Sequence, residues 1–136
     1  MSKLPRPIHD YMTPTPHSIG HDQTLATAQK LMKEHHIRHL PVLSGGKLRG
    51  LVSDREVKWI ATLPTVDTSK VTVEDAMVEE PFAVDPETPL DEVATTMARE
   101  KYGAALVVKD GHVVGIFTSV DACRALVELL DTKRKG

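Results

Sequence analysis

The sequence predicts an α/β (α+β) protein built from two β-α-β-β-α repeats. They are related by a pseudo-twofold axis and share one core, with two clefts between the halves. Three observations lead there. Gly50-Leu51-Val52-Ser53-Asp54-Arg55-Glu56 and Gly115-Ile116-Phe117-Thr118-Ser119-Val120-Asp121 both carry an apolar strand into a hydroxyl residue, with a carboxylate three positions on. The same offset of 65 residues pairs Asp10 with Asp75, Met12 with Met77, Pro16 with Pro81, Leu25 with Leu90, Met32 with Met97, Val42 with Val107 and Gly46 with Gly111, with no gap from Ile8 to Val57. These matches fall at apolar and turn positions, where a duplicated fold puts them. Finally, the hydrophobic period switches between helical and near-continuous in the same order in both copies.

The repeats are placed at residues 8–62 and 73–130, with Leu63 to Lys70 as the connecting loop. In the first, Leu25, Ala28, Leu31 and Met32 mark a helix, and strands run near His39 to Leu43 and Leu48 to Val52 around a Gly45-Gly46 turn. A last helix carries Val57, Trp59 and Ile60. The second repeat opens with Thr72 as N-cap and Asp75 at N3, a short helix ending near Met77. Phe82 to Val84 is extended. Thr88 and Pro89 supply an N-cap and an N1 proline, and Leu90, Val93, Ala94 and Met97 form one helical stripe. Ala104 to Val108 and Val113 to Phe117 make a hairpin about the turn Lys109 to His112, with both sheet faces covered. From Ser119 to about Leu130 the period is helical again, with Val120, Cys123, Leu126, Val127 and Leu130 on one side.

The 136 residues suffice for one compact unit with a core of Leu, Val, Ile, Ala and Met, since aromatics are only 4%. A net charge of −2 gives no general attraction to nucleic acid. The single Cys123 excludes an intramolecular disulfide, and its helical spacing predicts a buried structural thiol. No apolar run is long enough for a signal peptide or a membrane span, so the expected location is the cytoplasm, with no membrane partner. The tail Lys133-Arg134-Lys135 reads as a solvated end. His35-His36-x-x-His39 has no Cys partner or HExxH pattern and reads as a solvated cluster rather than a metal site. No nucleophile–base set or Gly-rich phosphate loop is present, which argues against an enzyme.

The Gly-apolar-apolar-Ser/Thr-x-x-acid corner after a hairpin, the Met-x-x-x-Pro opening and the strand Ile37-Arg38-His39-Leu40-Pro41-Val42 together resemble the cystathionine-β-synthase (CBS) domain. Two in tandem resemble a Bateman module, from Ile8 to roughly Leu130. The resemblance implies a stand-alone regulatory module, without a catalytic cofactor, that binds an adenosine nucleotide (AMP, ADP or ATP) in the interdomain clefts. It also implies a homodimer acting on a target protein in trans. One cleft would hold Thr118, Val120 and Asp121 with Met12, His17 and Ile37, with Arg38 facing the phosphates. Asp121 would accept from the ribose hydroxyls in charge-assisted bonds, and Thr118 would donate to phosphate beside the helix dipole. The other cleft would use Ser53, Arg55 and Glu56 with Met77, Phe82 and Tyr102. There Glu56 replaces the family's aspartate, and Gly103 and Ala104 replace the counterparts of Arg38 and His39. One strong and one weak or empty site are expected.

Each residue also has a plainer reading. Asp121 suits a helix start through the dipole alone, Arg38 suits a solvated strand end, and Phe82 and Tyr102 suit core positions. Trp59 would face another subunit or be buried in its own module. The alternative function is a structural dimerisation module without a nucleotide.

Overall fold

The structure, a computed structural model, describes residues 6–135, the side chains of residues 132–135 excepted. A 3-10 turn at Ile8–Asp10 leads into β1 (Thr13–Pro14), β2 (Ile19–Gly20), α1 (Leu25–His35), β3 (His39–Ser44), β4 (Lys47–Ser53) and α2 (Asp54–Ala61). After the connecting loop come α3 (Val73–Ala76), β5 (Val78–Glu79), β6 (Ala83–Val84), α4 (Leu90–Glu100), β7 (Ala104–Lys109), β8 (His112–Thr118) and α5 (Ser119–Lys135). The chain divides into two compact units, one formed by Met1–Thr15 with Phe82–Gly136 and the other by Pro16–Pro81.

The Pro16–Pro81 unit carries a sheet in the order β2-β3-β4-β5, and the other unit a sheet in the order β1-β8-β7-β6. In each sheet the second short strand of the repeat pairs parallel with the hairpin (Ile19 with Val42, Ala83 with Leu106), and the remaining pairs are antiparallel. The fourth strand comes from the opening of the other sequence repeat: β5 pairs with β4, and β1 with β8. Glycine makes this possible. A Cβ on Gly50 would lie 2.7 Å from both Met77 Sδ and the Val78 carbonyl oxygen, and one on Gly115 would overlap Met12 Sδ. The bare backbone therefore seats the methionine of the incoming opening.

The duplication extends to backbone detail. Both hairpins slip register at the same place, Val42/Leu43 and Val107/Val108. Left-handed residues recur in pairs: Thr15 and Glu80, His36 and Lys101, Gly45 and Asp110, Gly46 and Gly111. His36 and Lys101 end α1 and α4, where a left-handed residue lets the cap amide reach back to Met32 O and Met97 O. The two turn pairs close the hairpins with positive φ at both central residues, the turn whose twist matches the strands.

Each unit buries its own cluster, where the sequence led us to expect one shared core. Leu25, Ala28, Met32, Leu40, Val42 and Val52 are central in one, and Ile8, Val93, Met97, Val107, Phe117 and Ala125 in the other. Three further expectations need correction. The Thr88-Pro89 start is displaced by one residue, because Pro89 itself has extended backbone and caps a helix beginning at Leu90. Helix α5 turns Asp121 and Ala125 inward, with Ala122 and Leu129 half-buried, and leaves Val120, Leu126, Val127 and Leu130 exposed; Cys123 is exposed as well. Small alanines let the helix lie close to the sheet, so the bulkier stripe faces out. Trp59 is 65% exposed, which removes burial within its own unit. An apolar groove of about 450 Å³ runs along α4 and α5 past Leu90, Ala94, Ala122, Ala125 and Leu129. The α5 backbone continues to Lys135, while the side chains of the basic tail lie outside the described residues.

Candidate functional site

Both candidate corners are junctions where a hairpin strand turns into a helix, and each is closed by its own acid. In the Met1–Thr15/Phe82–Gly136 unit, β8 ends at Thr118 and α5 begins at Ser119. Asp121, in the first turn, folds back so that Oδ2 accepts from Thr118 N at 2.9 Å and from Thr118 Oγ1 at 3.2 Å. Its backbone amide reaches Thr118 Oγ1 at 3.4 Å. This satisfies a strand-end amide and a free helix-start amide together. The second oxygen, Oδ1, accepts from Thr13 Oγ1 at 2.9 Å and from Arg124 Nη1 at 3.3 Å.

Asp121 is only 4% exposed, whereas Arg124 is 73% exposed in its side chain and Thr13 is exposed. A carboxylate offers about four lone-pair positions. The two on Oδ2 are used by the corner itself, and the two on Oδ1 by surface groups that a ligand could replace. Met12 packs on Gly115 next to Thr13, and Phe82 stacks on the exposed Tyr102 with ring centroids 5.3 Å apart. Val120 is exposed on α5. Thr118 Oγ1 is engaged by Asp121, so it could meet a phosphate only through its accepting side or by exchange.

In the Pro16–Pro81 unit, Ser53 caps α2 and Glu56 completes a capping box. Glu56 Oε1 accepts from both Ser53 N at 3.0 Å and Ser53 Oγ at 2.7 Å. As at Asp121, one oxygen takes both corner bonds, and no hydrogen bond to Oε2 is made among the described residues. The Asp54 amide donates to Arg38 O at 2.8 Å, as Ser119 N does to Gly103 O at 3.2 Å. Arg38 and Arg55 are exposed, and Ile37 packs against the core. His17 stacks on His35 with centroids 3.7 Å apart. His39 is held below its usual pKa of 6.5 mainly by burial, with Arg38 acting in the same direction and Glu56 and Asp54 opposing.

The expected residues thus fall into two sets. Met12, Phe82, Tyr102, Thr118, Val120 and Asp121 belong to one unit, and His17, Ile37, Arg38, Ser53, Arg55, Glu56 and Met77 to the other. Two functional candidates escaped the sequence reading. Arg124 stood one turn after Asp121, the i,i+3 spacing at which helix side chains meet. Thr13 gave no signal, because its contact spans 108 positions.

A hairpin-to-helix unit with an acid-closed corner thus occurs once in each copy, the mark of a duplicated α/β module. The chain belongs to the CBS domain family, whose pattern matches residues 8–59 and 73–128. Among curated relatives, inosine-5'-monophosphate dehydrogenase of Korarchaeum cryptofilum (strain OPF8) is 33% identical over 115 residues, 84% of this chain. The chain spans only 22% of that relative's length. Solved CBS pairs have the same architecture. Arabidopsis thaliana CBSX2 in complex with AMP is 26% identical with a TM-score of 0.82, over 90% of this chain and 97% of that one. The CBS domain pair of MJ0100 in complex with 5'-methylthioadenosine and S-adenosyl-L-methionine is 27% identical with a TM-score of 0.78, over 90% and 96%.

Proposed function

We propose that this CBS pair is a regulatory ligand-sensing module, not an enzyme, and that its ligand is an adenosine nucleotide (AMP, ADP or ATP). The observation that carries this reading is the Asp121 carboxylate. It is fixed in the first turn of α5 by its own corner through Oδ2, and among the described residues its Oδ1 is served only by the exposed Thr13 and Arg124. The vicinal hydroxyls of a ribose are two adjacent donors that fit such an oxygen, each charge-assisted bond contributing about 1.5–3 kcal/mol. AMP, 5'-methylthioadenosine and S-adenosyl-L-methionine, the ligands of the two solved relatives, have in common only adenine and its ribose without the 5'-oxygen. That supports an adenosine ribose as the recognised element. Arg38, Arg55 and Arg124 are exposed guanidinium forks suited to phosphate oxygens. The ligand acts by favouring one conformation of a homodimer, or one affinity for a target protein, over another.

The test is calorimetric titration of the purified protein with AMP, ADP, ATP, NAD and S-adenosyl-L-methionine. Asp121→Asn should weaken binding by about tenfold or more, measured well below its melting temperature because Asp121 also closes the corner. Unchanged affinity sinks the assignment. A second reading, a dimerisation module without nucleotide, is favoured by the exposed Val120, Leu126, Val127 and Leu130 on α5. It predicts no thermal shift with any of these ligands.

A further inference from the structure

The geometry points to Thr13 as a built-in competitor for the ligand carboxylate, an autoinhibitory contact that ligand must release. This inference rests on the ribose reading of Asp121 above and concerns the regulation of that site. Thr13 Oγ1 donates to Asp121 Oδ1 at 2.9 Å, the position and polarity that a ribose hydroxyl would occupy. Thr13 lies in β1, a two-residue edge strand paired with β8 through Thr13/Ile116 and Pro14/Gly115. The strand is held further by Thr15 N donating to Val114 O at 3.1 Å. Few bonds resist its displacement, and Thr13 itself is exposed.

The other copy shows that the contact is no requirement of the fold. Val78 holds the equivalent place, paired with Leu51 as Thr13 is with Ile116, and has no hydroxyl to give. Glu56 accordingly keeps Oε2 without a protein donor among the described residues, while its cap forms normally through Oε1. A hydroxyl that closes the acid in one copy and is missing from the other acts on what the acid can bind. Ligand at Asp121 replaces the Thr13 bond and frees β1, so occupancy is transmitted to the opening segment of the chain.

The experiment compares AMP binding by calorimetry in the wild type, Thr13→Val and Thr13→Ser, and follows amide exchange at Thr15 with and without AMP. Thr13→Val keeps the shape and removes the donor. It should bind AMP about threefold to tenfold more tightly, and Thr13→Ser should bring the affinity back. In the wild type, AMP should speed exchange at Thr15; in Thr13→Val, AMP should change it little. Equal or weaker binding by Thr13→Val, with the wild type binding AMP, overturns the competitor and leaves the ribose reading standing. AMP binding by Thr13→Val alone supports both. No binding by any of the three proteins overturns the ribose reading, and the competitor with it.

Discussion

Replacing Gly50 and Gly115 separately by alanine tests how each sheet accepts the opening strand of the other repeat. Alanine in a strand recovers roughly 0.5–1 kcal/mol of backbone entropy relative to glycine. Against this stands the obstruction, and overpacking of a well-packed site costs about 1–3 kcal/mol. At Gly115 the three atoms nearest the new methyl all belong to the side chain of Met12, which is half-buried and unbranched and can rotate away. The net cost should be about 0–1 kcal/mol. At Gly50 the methyl would also stand 2.7 Å from the Val78 carbonyl oxygen, where ordinary contact begins at 3.4 Å. Backbone cannot rotate aside. The β5 strand must retreat, weakening the Gly50/Glu79 and Leu51/Val78 pairs at about 0.5–1.5 kcal/mol per hydrogen bond. A net cost of about 2–3 kcal/mol follows. Urea unfolding reads both, with Trp59 fluorescence reporting the unit that contains Gly50 and circular dichroism reporting the whole chain. Met12→Ala should cancel the Gly115→Ala cost, whereas Met77→Ala should recover only part of that of Gly50→Ala, a difference visible in double-mutant cycles. If Gly115→Ala costs as much as Gly50→Ala, the account of the edge-strand seat is wrong.

Two further perturbations address the corner at Glu56. Glu56→Ala removes the acceptor of both Ser53 bonds and should cost about 0.5–2 kcal/mol through loss of the capping box; an unchanged melting curve would refute the cap. His39 titrates lower in the folded protein than its usual 6.5, because burial disfavours the charged ring. The unfolded chain then binds the proton more readily, so this contribution to stability is present above pH 6.5 and is lost as pH falls from there toward the folded value. The unfolding midpoint of the wild type should therefore drop more steeply between pH 7 and 5 than that of His39→Asn, and a steeper drop in the variant would reverse the assignment.

The architecture was legible because duplication supplied a second reading of every weak local signal. One Met-x-x-x-Pro opening or one Gly-Gly turn says little, but the same residue types at one fixed offset revealed the duplication, which the backbone then repeats at paired left-handed positions and matching hairpin slips even where the residue types differ. The face of α5 was not legible. That helix has an alanine line at 122 and 125 and a bulkier line at 120, 126, 127 and 130, both compatible with helical burial. Periodicity finds a stripe; it cannot say which of two stripes meets the sheet. The exchange of β1 and β5 was hidden for another reason. Two-residue strands have no period, and their partners are chosen by a close approach over glycine that depends on the folded backbone. At the corners, residue types and spacing were visible, but not which groups would occupy the acid's oxygens.

Those occupants change how the two copies compare. By side-chain length alone, aspartate at 121 is the better ribose acceptor and glutamate at 56 the worse. The hydrogen bonds add an opposing factor. Asp121 divides its oxygens, one for the cap and one for Thr13 and Arg124, so a ligand must displace bonds already made. Glu56 also takes both cap bonds on one oxygen, but the valine opposite it offers nothing to the other. A net hydrogen bond in water is worth only about 0.5–1.5 kcal/mol because it replaces another. Exchange with Thr13 therefore offsets much of what the ribose gains at Asp121, while a ligand at Glu56 would displace only water. Acid length favours one corner and acceptor availability the other. On the ligand-sensing reading, Thr13 then makes the aspartate corner the conditional one, responsive to anything that holds or releases β1.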